Sequence, residues 1–114
     1  MLPRKNRLQA EKDIEGVLKK KAGVFDEACG VRYAPNTLGL TRAAFSVGKK
    51  VSLLSVERNR LRRQYREMFM ETLEGWPGGY DYVFLTAKPA LKLKSAERKD
   101  RFYAVLRKVQ TRLA

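Results

Sequence analysis

A chain of 114 residues has room for one domain, and 44% hydrophobic residues give that domain a modest core rather than leaving a disordered basic tail. Lys and Arg total 25 against 12 Asp and Glu, a net charge of +13 without a single His, which excludes His-dependent nucleophilic catalysis and His-ligated metals and points to a polyanionic partner. The lone Cys29 excludes an internal disulfide or a multi-Cys zinc site, and no stretch approaches the roughly 18 apolar residues of a membrane span. The basic start from Met1 to Arg7 leads into no apolar run, so neither a secretory signal nor a membrane partner is expected and the expected location is the cytoplasm.

In chain order, Arg4, Lys5, Arg7, Lys12, Lys19, Lys20 and Lys21 make residues 1–21 strongly basic. Within residues 10–21, Ile14, Val17 and Leu18 recur at helical spacing and predict a short amphipathic helix ending before Gly23. From Val24 to Tyr33, β-branched and aromatic residues predict extended chain, closed by turn chemistry at Ala34-Pro35-Asn36. Arg42–Val47 predicts a strand that Gly48 ends, with Ala43, Phe45 and Val47 on one face and Ala44, Ser46 and Gly48 on the other. Residues 55–74 predict a helix with Ser55 as N-cap and Glu57 at the positive end of its dipole. Tyr80–Thr86, introduced by Pro77-Gly78-Gly79, reads as a central strand. Ser95 is expected to cap a last helix whose Phe102, Leu106, Val109 and Leu113 share one stripe, within a second basic stretch over residues 88–112. No repeat or linker divides the chain, so residues 1–114 form one α+β domain, a small sandwich in the order helix, strands, helix, strand, helix.

The helix over residues 55–74 carries the chemistry. At 100° per residue, Leu61, Tyr65, Met68, Phe69 and Thr72 gather on one side, while Asn59, Arg62, Arg63 and Arg66 gather on the other, flanked by Arg58 and Arg60. A solvated face ordinarily interleaves Glu at i±4; here Arg58/Arg62 and Arg62/Arg66 set like charges side by side, which costs stability until an anion arrives. Guanidinium forks hold phosphate in two bonds and stack on bases, and Asn59 among them adds a donor and an acceptor. A membrane surface would require a broad apolar face beside the cations, so nucleic acid is the favoured partner.

Ser46-Val47-Gly48-Lys49-Lys50-Val51, followed by Arg58-Asn59-Arg60-Leu61-Arg62-Arg63 and Arg66-Glu67, resembles the bacterial ribonuclease P protein subunit family. The resemblance runs nearly end to end, taking in Pro3-Arg4-Lys5-Asn6-Arg7-Leu8, Gly79-Tyr80-Asp81 and Ala87-Lys88-Pro89-Ala90. It implies a mainly antiparallel four-stranded sheet with three helices and a left-handed crossover around the Arg-rich helix, an exception to the usual hand. It also implies an RNA-binding domain that joins a catalytic RNA subunit and helps remove the 5′ leader of precursor tRNA. The RNA would hold Mg²⁺ and cut the phosphodiester, so the resemblance implies no catalytic residue, no metal site on the protein and no obligate protein partner. The RNA-subunit contacts it implies are Arg58, Asn59, Arg60, Arg62, Arg63 and Arg66. A leader cleft between the first helix and the sheet is assigned Ile14, Leu18, Tyr33, Ser46, Lys49 and Lys50, with Tyr33 open to two readings, a stacking platform or a core aromatic.

Two departures from the family pattern stand out. Where many members place aromatic residues on the first helix, this chain has Ile14 and Leu18, so apolar contact replaces stacking there. The segment Ser52-Leu53-Leu54-Ser55-Val56 is one residue longer than usual and lacks a lysine, and Leu53 and Leu54 are expected to pack the loop. Other classes keep a place. A ribosomal or translation-associated rRNA-binding protein would share charge and fold without the leader groove. A DNA regulator reading adenine with Asn59 would require a helix-turn-helix or a dimer, and a protein-only nuclease would require clustered acids where Asp26-Glu27, Asp81 and Asp100 are scattered.

Overall fold

The computed structural model describes residues 2–114. The elements run α1 (Glu11–Lys20), β1 (Gly23–Phe25), β2 (Cys29–Pro35), β3 (Arg42–Ser46), α2 (Ser55–Glu71), β4 (Tyr80–Thr86) and α3 (Ser95–Arg112). The extended region predicted as one piece from Val24 divides into two strands. Asp26 turns the chain between them, its carboxylate accepting the Ala28 N–H at 3.0 Å while its own N–H reaches the Cys29 carbonyl.

The four strands lie in the order β1-β2-β4-β3, antiparallel except for the parallel pair β3–β4, which α2 joins. β4 is internal, as its nearly unbroken apolar run predicts. Helices α2 and α3 pack on one face of the sheet and α1 on the other. The larger core therefore holds Val31, Tyr33, Phe45, Leu61, Tyr65, Phe69, Trp76, Tyr82, Phe84 and Phe102, while Leu8, Val17, Ala34 and Val83 form a smaller one beneath α1. Phe69 sits at the centre of the larger core, its ring 5.5 Å from those of Trp76 and Phe84 and 5.9 Å from Phe45.

Polar contacts pin the open end of the sheet. Arg42 grips Asp81 with two bonds of 2.8 and 2.7 Å, and Asn36 donates to the same carboxylate at 2.9 Å. The N-terminal arm lies beside edge strand β3, with the Leu8 N–H on the Ala43 carbonyl at 2.9 Å and the Asn6 side chain on the Thr41 carbonyl at 2.7 Å.

Both predicted N-caps are displaced by one residue. Leu54 and Lys94 occupy the cap positions of α2 and α3, and Ser55 and Ser95 are the first helical residues. Other groups take over the work. Ser52 accepts the Leu54 N–H at 3.1 Å and donates to Glu57 at 2.6 Å, and Glu97 accepts the Lys94 backbone N–H at 3.0 Å. α2 also ends earlier than predicted, at Glu71, where the Thr72 hydroxyl donates to the Met68 carbonyl at 2.8 Å and a tight turn over Leu73–Gly75 follows.

Candidate nucleic-acid interface

Leu61, Tyr65, Met68 and Phe69 are buried against the sheet, so the opposite side of α2 is presented outward, as its periodicity predicts. The arginines on that side divide by what they bond. Arg58 donates to the Ser52 carbonyl at 2.9 Å. Arg62 donates to the Asn59 side-chain oxygen at 2.6 Å and to the Val47 carbonyl at 3.1 Å, where β3 gives way to the turn before α2. Neutral carbonyls leave the charge of both guanidiniums uncancelled, and these two brace the turn against the helix. Arg60 and Arg63 are exposed and Arg66 is half-buried; among the described residues all three donate to no protein acceptor and pair with no acid. The predicted cluster thus contains two bracing arginines and three free forks.

Beyond β3, Gly48–Val51 makes a tight turn closed by the Val51 N–H on the Gly48 carbonyl at 3.0 Å, and Lys49 and Lys50 project from it, exposed. Val51 and Ser52 are buried. Leu53 and Leu54 do not pack the loop: they are 84% and 62% exposed, and Val56 beside them is 77% exposed. Val51 and the Ser52–Glu57 bond fill that role instead, and the leucines face outward. The interface therefore has an apolar knuckle at the start of α2, next to its cations.

On the other face of the sheet, α1 lies mainly over β2 and β4 and meets β3 through Asp13 beside Arg42 and Ile14 near Ala44. Ile14 and Leu18 are half-buried beneath α1 with Ala44 and Leu85, and Ser46 is exposed further along β3, on the same face as Ala44. A groove of about 400 Å³ runs along the β3 edge, lined among others by Arg7, Ile14, Ala44 and Arg66. It joins the α1 side of the molecule to the arginine helix. Arg7, which no local sequence signal places there, donates from its guanidinium to the Leu2 carbonyl at 2.9 Å.

Tyr33 is the exception among the predicted leader contacts. It is 8% exposed and packs edge-on against Tyr80 and Tyr82 in the core shared with α2 and α3. The cause is strand alternation: Cys29, Val31 and Tyr33 face that core, which sends Gly30, Arg32 and Ala34 to the α1 face. Of its two readings, the core aromatic is correct, and Tyr33 is removed from the leader site. The position it was assigned on the α1 face is held by Ala34 and Arg32.

Five of the acids are paired with cations other than the arginines of α2. Asp13 and Asp81 flank Arg42, Asp26 and Glu27 meet Arg101 at 3.3 and 3.8 Å, and Glu71 meets Lys99 at 3.4 Å. Among the described residues no three acidic or sulfur ligands come together as a metal-binding group. Burial pushes the Cys29 thiol up to about 12, with Asp26 adding to the effect, so at neutral pH it is an inert core residue.

An α+β domain with an outward arginine face on one side and an open, partly apolar sheet face on the other defines a protein of the polyanion-binding class. The family model for ribonuclease P matches residues 2–110. The chain is 30% identical over 103 residues to the ribonuclease P protein component of Pelotomaculum thermopropionicum, covering 90% of this chain and 91% of that one. It is 36% identical over 92 residues to that of Dehalococcoides mccartyi, covering 81% and 74%. The ribonuclease P protein of Staphylococcus aureus has the same fold, with a TM-score of 0.82 at 23% identity, covering 90% of this chain and 93% of that chain. The chain belongs to the ribonuclease P family, as a protein component of that ribonucleoprotein.

Proposed function

We propose that this chain binds the ribonuclease P RNA through the outward face of α2 and the single-stranded 5′ leader of precursor tRNA along the groove between α1 and β3, assisting the endonucleolytic cut that leaves the mature tRNA 5′ end. The observation that carries the reading is the set of free forks at Arg60, Arg63 and Arg66, of which Arg66 also lines the groove holding Ile14. Each fork matches the geometry of a phosphate, and among the described residues none forms an ion pair with an acid. Asn59 and Arg62 hold the turn that presents Lys49 and Lys50, so leader phosphates and RNA-subunit phosphates meet one continuous basic surface.

Cleavage on this reading belongs to the RNA subunit, with Mg²⁺ held by RNA, and the protein contributes position and charge. The engagement of the acids with Arg42, Arg101 and Lys99 supports this division, because those carboxylates hold the fold together. No helix among the described residues is long and apolar enough to cross a membrane, and the cytoplasm, where precursor tRNA is made, is the proposed site of action.

Reconstitution tests the proposal. RNA-free protein with Mg²⁺ should leave precursor tRNA intact, and adding the ribonuclease P RNA should yield one cut at the mature 5′ end at an Mg²⁺ concentration where the RNA alone is slow. Processing by the RNA-free protein would assign the chemistry to the wrong partner. A protein that left the rate and substrate affinity of the RNA unchanged would refute the assisting role.

A further inference from the structure

We propose that the outer face of β1 and β2 carries a second leader contact, a stacking surface for an unpaired nucleobase formed by Phe25 and Arg32. This rests on the leader-binding role proposed above and adds a site at the opposite edge of the sheet. Phe25 is 54% exposed, whereas the rings around Phe69 are packed into the core.

Its ring rests on backbone that two glycines leave clear. A Cβ on Gly30 would lie 2.4 and 2.9 Å from ring carbons of Phe25, and a Cβ on Gly23 would lie 3.3 Å from another. Ring and glycines share a face by register, since Phe25 pairs with Gly30 and Gly23 with Arg32. The Arg32 guanidinium carbon lies 5.3 Å from the ring centroid, a cation–π distance that joins the two side chains into one unit. The ring is thus held in place before any ligand arrives, which lowers the ordering cost of binding.

The surroundings fit a nucleic acid strand. Lys19, Lys20 and Lys21, all exposed, end α1 just before β1 begins. The acids next to Phe25 are occupied: Asp26 bonds the Ala28 N–H and Arg101, and Glu27 lies 3.8 Å from Arg101. An aromatic ring beside unpaired cations is the combination that binds single strands without reading their sequence. Gly30 and Arg32 lie on the same sheet face as Ala34, Ala44 and Ser46, the face that Ile14 and Leu18 approach without offering a ring. β1 is three strand spacings from β3, roughly 15 Å. Only leader nucleotides well upstream of the cut therefore reach Phe25, and short leaders stop at β3.

The test uses holoenzyme reconstituted with wild-type protein, Phe25→Ala, Phe25→Trp and Gly30→Ala. Affinity is measured for precursor tRNA with a leader of about ten nucleotides, for precursor trimmed to about two, and for mature tRNA. Phe25→Ala should weaken the long-leader precursor by about tenfold and leave the short-leader precursor and mature tRNA unchanged. Phe25→Trp should retain the long-leader affinity. Gly30→Ala, whose new methyl meets the Phe25 ring before anything else and displaces it, should reproduce the selective loss with the ring still present. An unchanged long-leader affinity in Phe25→Ala, or an equal loss for all three RNAs, overturns the proposal. If wild-type holoenzyme itself fails to prefer short-leader precursor over mature tRNA, the groove between α1 and β3 is what has failed.

Discussion

Replacing Arg63 and Arg66 together with Gln is expected to weaken binding to the ribonuclease P RNA by on the order of a hundredfold at low salt, two charge-assisted bonds being lost. The log–log salt dependence should become shallower by about 1.4–1.8 units, since each lost phosphate contact removes about 0.7–0.9. Filter binding or fluorescence titration over a range of KCl concentrations reads both quantities. The fold should survive, because Leu61, Tyr65 and Phe69 on the buried side are untouched. Arg62→Gln should behave differently. It removes the bonds to Val47 and Asn59, so the turn carrying Lys49 and Lys50 loosens, and leader affinity falls along with RNA-subunit affinity. Unchanged affinity and slope in the double variant would make the face of α2 a solvated surface and nothing more.

Phe69→Ala should have the largest effect on stability of any single truncation in α2. The ring is fully buried and lies within 6.3 Å of four other aromatic rings, so the cavity left behind cannot easily collapse. A loss of about 3–5 kcal/mol is expected in urea unfolding, a large part of the total stability of about 5–15 kcal/mol usual for a domain. Because RNA binds only the folded chain, adding the ribonuclease P RNA should raise the melting temperature of this variant in a concentration-dependent way. A loss under about 1 kcal/mol would mean that α2 is held chiefly by the turn at Val51 and Ser52 and not by its aromatic docking.

Periodicity was the part of the sequence that translated most directly into structure. The 3.6-residue repeat of Leu61, Tyr65, Met68 and Phe69 oriented α2 correctly, and with it the arginines; the two-residue repeat of β3 correctly separated Ala43 and Phe45 from Ala44 and Ser46. What periodicity left undetermined was phase where the pattern is weak. In β2, Val31 and Ala34 are both apolar and both buried, so neither alone says which face Tyr33 takes; pairing with β4 decides it. The same ambiguity concealed Arg32 and Phe25, whose shared face depends on a β1–β2 register that no local signal specifies. Ser55 and Ser95 each match the N-cap preference, yet local bonds made by the neighbouring Ser52 and Glu97 accompany helix starts one residue earlier. The bracing of Arg58 and Arg62 was equally hidden, because a guanidinium that bonds a distant carbonyl looks, in sequence, the same as one that waits for phosphate.

The most direct measurement is to isolate the chain from its own cells under native conditions and sequence the RNA that comes with it. One abundant, structured RNA of ribonuclease P type, together with precursor tRNAs carrying 5′ leaders, is the predicted recovery. Recovery of ribosomal RNA alone, with no ribonuclease P RNA above background, would contradict the account and favour an rRNA-binding role for the same basic surface.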